Sequence, residues 1–162
     1  MASTGEPGLF HRAASMRTLS SRLAEPIQPR NQRLDPGGQA QPRSRTRLLL
    51  VEDDEPLRFA LKVRLNHRGF NVTEAGDGVV ARCSLLCCQY DVVILDLDLP
   101  KSHGLDVLAE VGAKKELPPV LVLTGGGEHE RGLAETLGAR RVLRKPCSFE
   151  ELSAALDELL GS

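Results

Sequence analysis

The sequence predicts an α/β domain built on a parallel sheet, and three observations predict it. Short apolar runs alternate with amphipathic helical stretches from Arg47 onward, the pattern of repeated βα units. The runs RLLLV, DVVIL and VLVL are nearly all apolar, as central strands covered by helices on both faces have to be. A polar residue with useful chemistry follows each of four runs. In a parallel sheet all strand carboxyl ends share one edge, which is where open α/β folds place their sites.

The chain of 162 residues, 41% hydrophobic and 3% aromatic, allows one ordinary domain plus a tail. Half of the ten prolines precede Thr46, and residues 1–45 hold seven Arg and three acids without apolar periodicity. They read as a disordered Arg/Pro/Ser-rich tail, with a folded domain over 46–160. The net charge of -1 gives no overall signal for nucleic acid, and the scattered arginines form no recognisable motif. No window approaches the roughly 18 apolar residues of a membrane span.

The elements follow in order. RLLLV is a strand that ends at Glu52 and Asp53. Asp54 can cap the next helix, with Pro56 in its first turn, Leu57, Ala60, Leu61 and Leu65 at helical spacing, and a stop at Gly69. FNVTEA alternates and so reads as an edge strand. Cys83, Cys87 and Cys88 crowd one apolar helical stretch, and with Cys147 they form no CxxC pair. Free thiols in a reducing compartment fit better than zinc, so the expectation is a cytoplasmic protein. DVVIL ends at Asp96, with Asp98 two residues on. VLVL ends at Thr124, and the following Gly125, Gly126 and Gly127 lack the GK[ST] of a phosphate-binding loop. RRVLR leads to Lys145. Ser148 and Glu151 make a capping box, Leu152, Ala155, Leu156 and Leu159 one apolar face, and Gly161 the stop. His11, His67, His103 and His129 read as surface residues.

Glu52, Asp53, Asp96, Thr124 and Lys145 should therefore converge. Clustered carboxylates repel, so three of them favour a cation, and ligands of this hardness suit Mg²⁺. One carboxylate can attack phosphorus, while a hydroxyl and an ammonium hold the phosphoryl oxygens.

The motifs VEDDE, ILDLDLP, VLTGG and RKP resemble those of the receiver domain of two-component response regulators, in order, over about residues 46–160. The resemblance implies a flavodoxin-like, doubly wound (βα)5 fold with a five-stranded sheet ordered 2-1-3-4-5. It implies Glu52 and Asp53 as the acidic metal pair, Asp96 as phosphoacceptor, Thr124 as switch hydroxyl and Lys145 as the partner lysine, with Pro146 after a cis peptide bond. It also implies a Mg²⁺ contact from the backbone carbonyl of Asp98. The expected role is a signalling switch rather than an enzyme. A sensor histidine kinase or histidine phosphotransfer protein would supply the phosphoryl group, and a downstream protein would read a change in the α4-β5-α5 face. Because the chain ends at the last receiver helix, a stand-alone receiver without direct DNA binding is expected.

Two alternatives remain at this point. The hhhhDxDx pattern also presents the nucleophile and general acid of haloacid dehalogenase-like phosphatases, which would be Asp96 and Asp98. That motif belongs near the start of its domain, however, and two βα units precede it here. The other alternative is an interaction module that works without phosphorylation. One departure bears on signalling: Val142 stands where the receiver family usually has an aromatic switch residue, which puts an aromatic flip coupled to Thr124 in doubt.

Overall fold

The computed structural model describes residues 45–161. The tail expected over residues 1–45 lies almost wholly outside them. Five strands alternate with five helices: β1 (Arg47–Val51), α1 (Glu55–His67), β2 (Asn71–Ala75), α2 (Gly78–Cys87), β3 (Val92–Asp96), α3 (Gly104–Gly112), β4 (Val120–Thr124), α4 (Glu128–Thr136), β5 (Arg141–Arg144) and α5 (Phe149–Leu160). The sheet is wholly parallel and ordered β2-β1-β3-β4-β5, the expected doubly wound arrangement.

Strand periodicity divides the core into two layers, because successive side chains point to opposite faces. Leu49, Val51, Val93, Leu95, Val120 and Val122 pack against α2, α3 and α4 through Ala81, Leu85, Val107, Leu108, Val111 and Ala134. Leu48, Leu50, Val92, Ile94, Leu121 and Leu123 pack against α1 and α5 through Leu61, Leu65, Leu152, Ala155 and Leu156. β3 and β4 are buried along their whole length. β2, with its alternating burial, is an edge as its sequence suggested.

The helix ends follow the sequence signals. Asp54 caps α1 by accepting from the Leu57 amide at 2.7 Å. Ser148 and Glu151 form the reciprocal capping box of α5, and Gly161 ends that helix in the left-handed conformation. One expectation for α1 fails. Of its proposed apolar face only Leu61 and Leu65 are buried, while Leu57 and Ala60 are exposed. In the first turn Arg58, partly buried, is the side chain that turns towards the β1-α1 loop. Its Nη1 donates to the carbonyls of Glu52 at 2.7 Å and Asp53 at 3.2 Å. The cysteines carry free thiols, with Cys83, Cys87 and Cys88 exposed. No helix among the described residues is long and apolar enough to cross a membrane.

Candidate functional site

The register of the parallel strands fixes the site. Val51 pairs with Leu95 and Asp96 with Leu123, so β1, β3 and β4 end almost level. The residues at and just beyond those ends are Glu52, Asp53, Asp96 and Thr124. Lys145 arrives from the end of β5, and its amide donates to the Thr124 carbonyl at 2.8 Å. The Lys145-Pro146 peptide bond is cis.

Four of the five expected side chains meet. Glu52, Asp53 and Asp96 each bring a carboxylate oxygen within 4.8 Å of the others. Glu52 and Asp96 are buried and Asp53 is exposed, so the cluster opens to solvent on the Asp53 side. The Lys145 ammonium lies 2.6 Å from Asp96 Oδ2 and 3.5 Å from Glu52 Oε2. The other Asp96 oxygen, Oδ1, accepts from the Asp98 amide at 3.1 Å.

Burial, and secondarily the charge of Asp96, push the Glu52 carboxyl up from 4.5 to about 7. For Lys145, burial works against the ammonium, but its hydrogen bond to Asp96 and the charges of Asp96 and Glu52 outweigh it, so its pKa is raised. Burial acts against both charges and the Asp96 carboxylate raises both pKa values, in a pocket where three carboxylates meet one ammonium. Such a donor set fits a hard divalent cation.

Thr124 is buried beside this cluster, but its hydroxyl donates to Oε2 of Glu130 and accepts from the Gly126 amide at 2.8 Å. The expected convergence is thus incomplete, because a carboxylate on α4 engages the hydroxyl. Asp98 places its side chain in a second group, with His103 and Glu130. His103 is not the isolated surface residue that its sequence context suggested. It caps α3, with Nδ1 accepting from the Leu105 amide at 3.3 Å, and its Nε2 lies 3.5 Å from Glu130 Oε1.

A family model described as the response regulator receiver domain matches residues 48–157. The chain belongs to that family. Among curated relatives, the transcriptional regulatory protein CpxR of Klebsiella pneumoniae is 38% identical over 114 residues, covering 70% of this chain and 49% of its own. The transcriptional activator protein PfeR of Pseudomonas aeruginosa is 40% identical over 114 residues, 70% of this chain and 37% of its own. The chain therefore spans half or less of the length of these two relatives. Among solved structures, the non-phosphorylated HemR receiver domain of Leptospira biflexa is 34% identical, with a TM-score of 0.68, covering 73% of this chain and 96% of its own. The chemotaxis response regulator CheY4 of Vibrio cholerae is 26% identical, with a TM-score of 0.67, covering 72% of this chain and 100% of its own.

Receiver domains are signalling switches rather than classical enzymes, so the aspartyl-phosphatase alternative loses its footing. The residues of this receiver that sequence reasoning missed are Arg58, His103 and Glu130. Glu130 left one faint signal: it is the third residue of a helix whose cap, Gly127, has no side chain to offer it.

Proposed function

We propose that this receiver accepts a phosphoryl group on Asp96 from a phosphohistidine and passes the signal on through its α4-β5-α5 face. The observation that carries this reading is the buried Asp96 carboxylate. It is held at one oxygen by Lys145 at 2.6 Å and at the other by the Asp98 amide, beside two further carboxylates. An Asp96 oxygen attacks phosphorus, the P–N bond of the donor breaks, and the imidazole leaves with the electron pair and takes up a proton. Lys145 holds an oxygen of the transferred group, and Thr124 offers its hydroxyl to another. Glu52, Asp53, Asp96 and the Asp98 carbonyl would hold Mg²⁺, which supplies charge neutralisation between the acceptor and the incoming phosphoryl oxygens.

The donor is a sensor histidine kinase or a histidine phosphotransfer protein in the cytoplasm. The reader is a downstream protein that prefers the phosphorylated α4-β5-α5 face, without direct DNA contact by this domain. A phosphoryl group adds roughly -1.5 to -2 charges. Shifting a population from 1:99 to 99:1 takes about 5.5 kcal/mol, within reach of several charge-assisted hydrogen bonds.

Incubating the full chain with Mg²⁺ and acetyl phosphate, and following intact mass, tests the assignment. A phosphate-sized adduct is expected on the native protein and none on Asp96→Asn or after chelation. An adduct that persists in Asp96→Asn defeats the assignment. No adduct from acetyl phosphate or from any phosphohistidine donor favours the phosphorylation-independent interaction module.

The raised pKa of Glu52 adds a dependence on pH. Between 4.5 and about 7 the folded state binds more protons at Glu52 than the unfolded chain does, so metal-free stability falls as pH rises through that window and levels off above it. Lys145, also raised, loses its contribution only above 10.5, well outside that window. Mg²⁺ binds the ionised carboxylates, so it should raise the melting temperature more at pH 7.5 than at pH 5.5. Equal Mg²⁺ shifts at the two pH values would contradict this.

A further inference from the structure

The hydroxyl of Thr124 has two hydrogen-bond partners, and neither is Asp96. One is the carboxylate of Glu130, whose second oxygen lies 3.5 Å from His103 Nε2. Glu130 is the third residue of α4. A glutamate there ordinarily turns back to the backbone of its own helix cap, as Glu151 does at Ser148 in α5. Gly127 caps α4 without a side-chain hydrogen bond. Glu130 instead reaches past the cap to the end of β4. Gly126 makes the reach possible, because a Cβ there would collide with the Glu130 carboxylate.

We propose that Glu130 is a positioning residue for the phosphoryl switch: it holds the Thr124 hydroxyl in the unphosphorylated protein and yields it to a phosphoryl oxygen on Asp96. This rests on Asp96 being the acceptor. Glu130 already shares its surroundings with the Asp98 carboxylate and the His103 ring, their ligand atoms lying within 4.8 Å of one another. A phosphoryl group on Asp96 adds like charge to that neighbourhood and offers Thr124 a more strongly charged acceptor. The hydroxyl changes partner, and the first turn of α4 loses its tie to β4. Phosphorylation thereby reaches α4 through Glu130 and Thr124, a route that needs no aromatic residue at Val142.

The test compares the native full chain with Glu130→Asp and Glu130→Ala, using Mg²⁺ and acetyl phosphate. Two quantities are read: the rate of adduct formation by intact mass, and amide hydrogen exchange across residues 128–136 before and after phosphorylation. Glu130→Asp keeps a negative charge at the helix start but is one methylene too short for Thr124, so it separates the tie from simple helix-end electrostatics. Both variants are expected to gain phosphate about tenfold faster than the native chain, the effect of about 1.4 kcal/mol on a barrier. Their α4 amides should exchange like those of the phosphorylated native chain and respond little to phosphorylation. Native rates in both variants, or a native-sized response of α4, would overturn the proposal while leaving Asp96 as acceptor. A native chain that takes up no phosphate from acetyl phosphate or from a phosphohistidine donor would overturn both.

Discussion

Lys145→Met is expected to slow phosphoryl uptake at Asp96 by about a hundredfold or more, the usual cost of removing one preorganised electrostatic partner from a group-transfer site. Lys145 is the only side-chain cation within salt-bridge distance of Glu52 and Asp96 among the described residues. Without it the two buried carboxylates repel with only solvent at the Asp53 side to relieve them, and the metal-free protein should lose about 2 kcal/mol, less than for a fully enclosed pair because the lysine is partly exposed. The two losses can be separated. Mg²⁺ supplies positive charge to the carboxylates and should restore most of the stability in a thermal melt. The uptake rate should stay low, because the oxygen held by the ammonium has no replacement partner. Uptake by Lys145→Met at the native rate, measured by intact mass with acetyl phosphate, would show that the ammonium does not contact the transferred group.

The same lysine shows why so much of the site was legible in the sequence. Its place depends on β5 ending beside β4; the alternation of apolar runs and helical stretches puts Lys145 at a strand end, and the resemblance to receiver domains implied the strand order. β1, β3 and β4 advertise themselves as central strands by being apolar on both faces, and β2 as an edge by alternating. A residue at a strand end is therefore placed by the fold alone. Glu130 is different. Its position is set by the absence of a hydroxyl at Gly127 and by the space over Gly126, neither of which has a periodic signature. Arg58 was missed for a related reason: helical spacing locates an apolar stripe, but it does not say which polar side chain of the first turn reaches back to the carbonyls of Glu52 and Asp53.

Gly104→Ala is expected to combine a loss of fold stability with a loss of phosphoryl uptake, because the space that Gly104 leaves open lies against the acceptor's own backbone. Gly104 begins α3, and its amide donates to the Leu97 carbonyl at 3.0 Å. A Cβ built there would stand 2.6 Å from the Asp96 carbonyl oxygen and 2.8 Å from the Leu97 Cα. Those are backbone atoms at and just past the end of β3, which is hydrogen-bonded on both sides and cannot give way as a flexible side chain would. Overpacking of this kind costs about 1 to 3 kcal/mol, and here it should approach the upper figure. Relief requires α3 to move away from β3 or the Asp96-Leu97 peptide to tilt. A tilt changes the direction in which the Asp96 carboxylate meets Lys145, and small misplacements at a transfer site are costly in rate. Gly127→Ala is the matched control, since a Cβ there meets nothing within 4 Å. Denaturant melts and acetyl phosphate uptake should both fall for Gly104→Ala, with much smaller changes for Gly127→Ala. Equal behaviour of the two variants would mean that the contact between α3 and the end of β3 does not hold the acceptor in place.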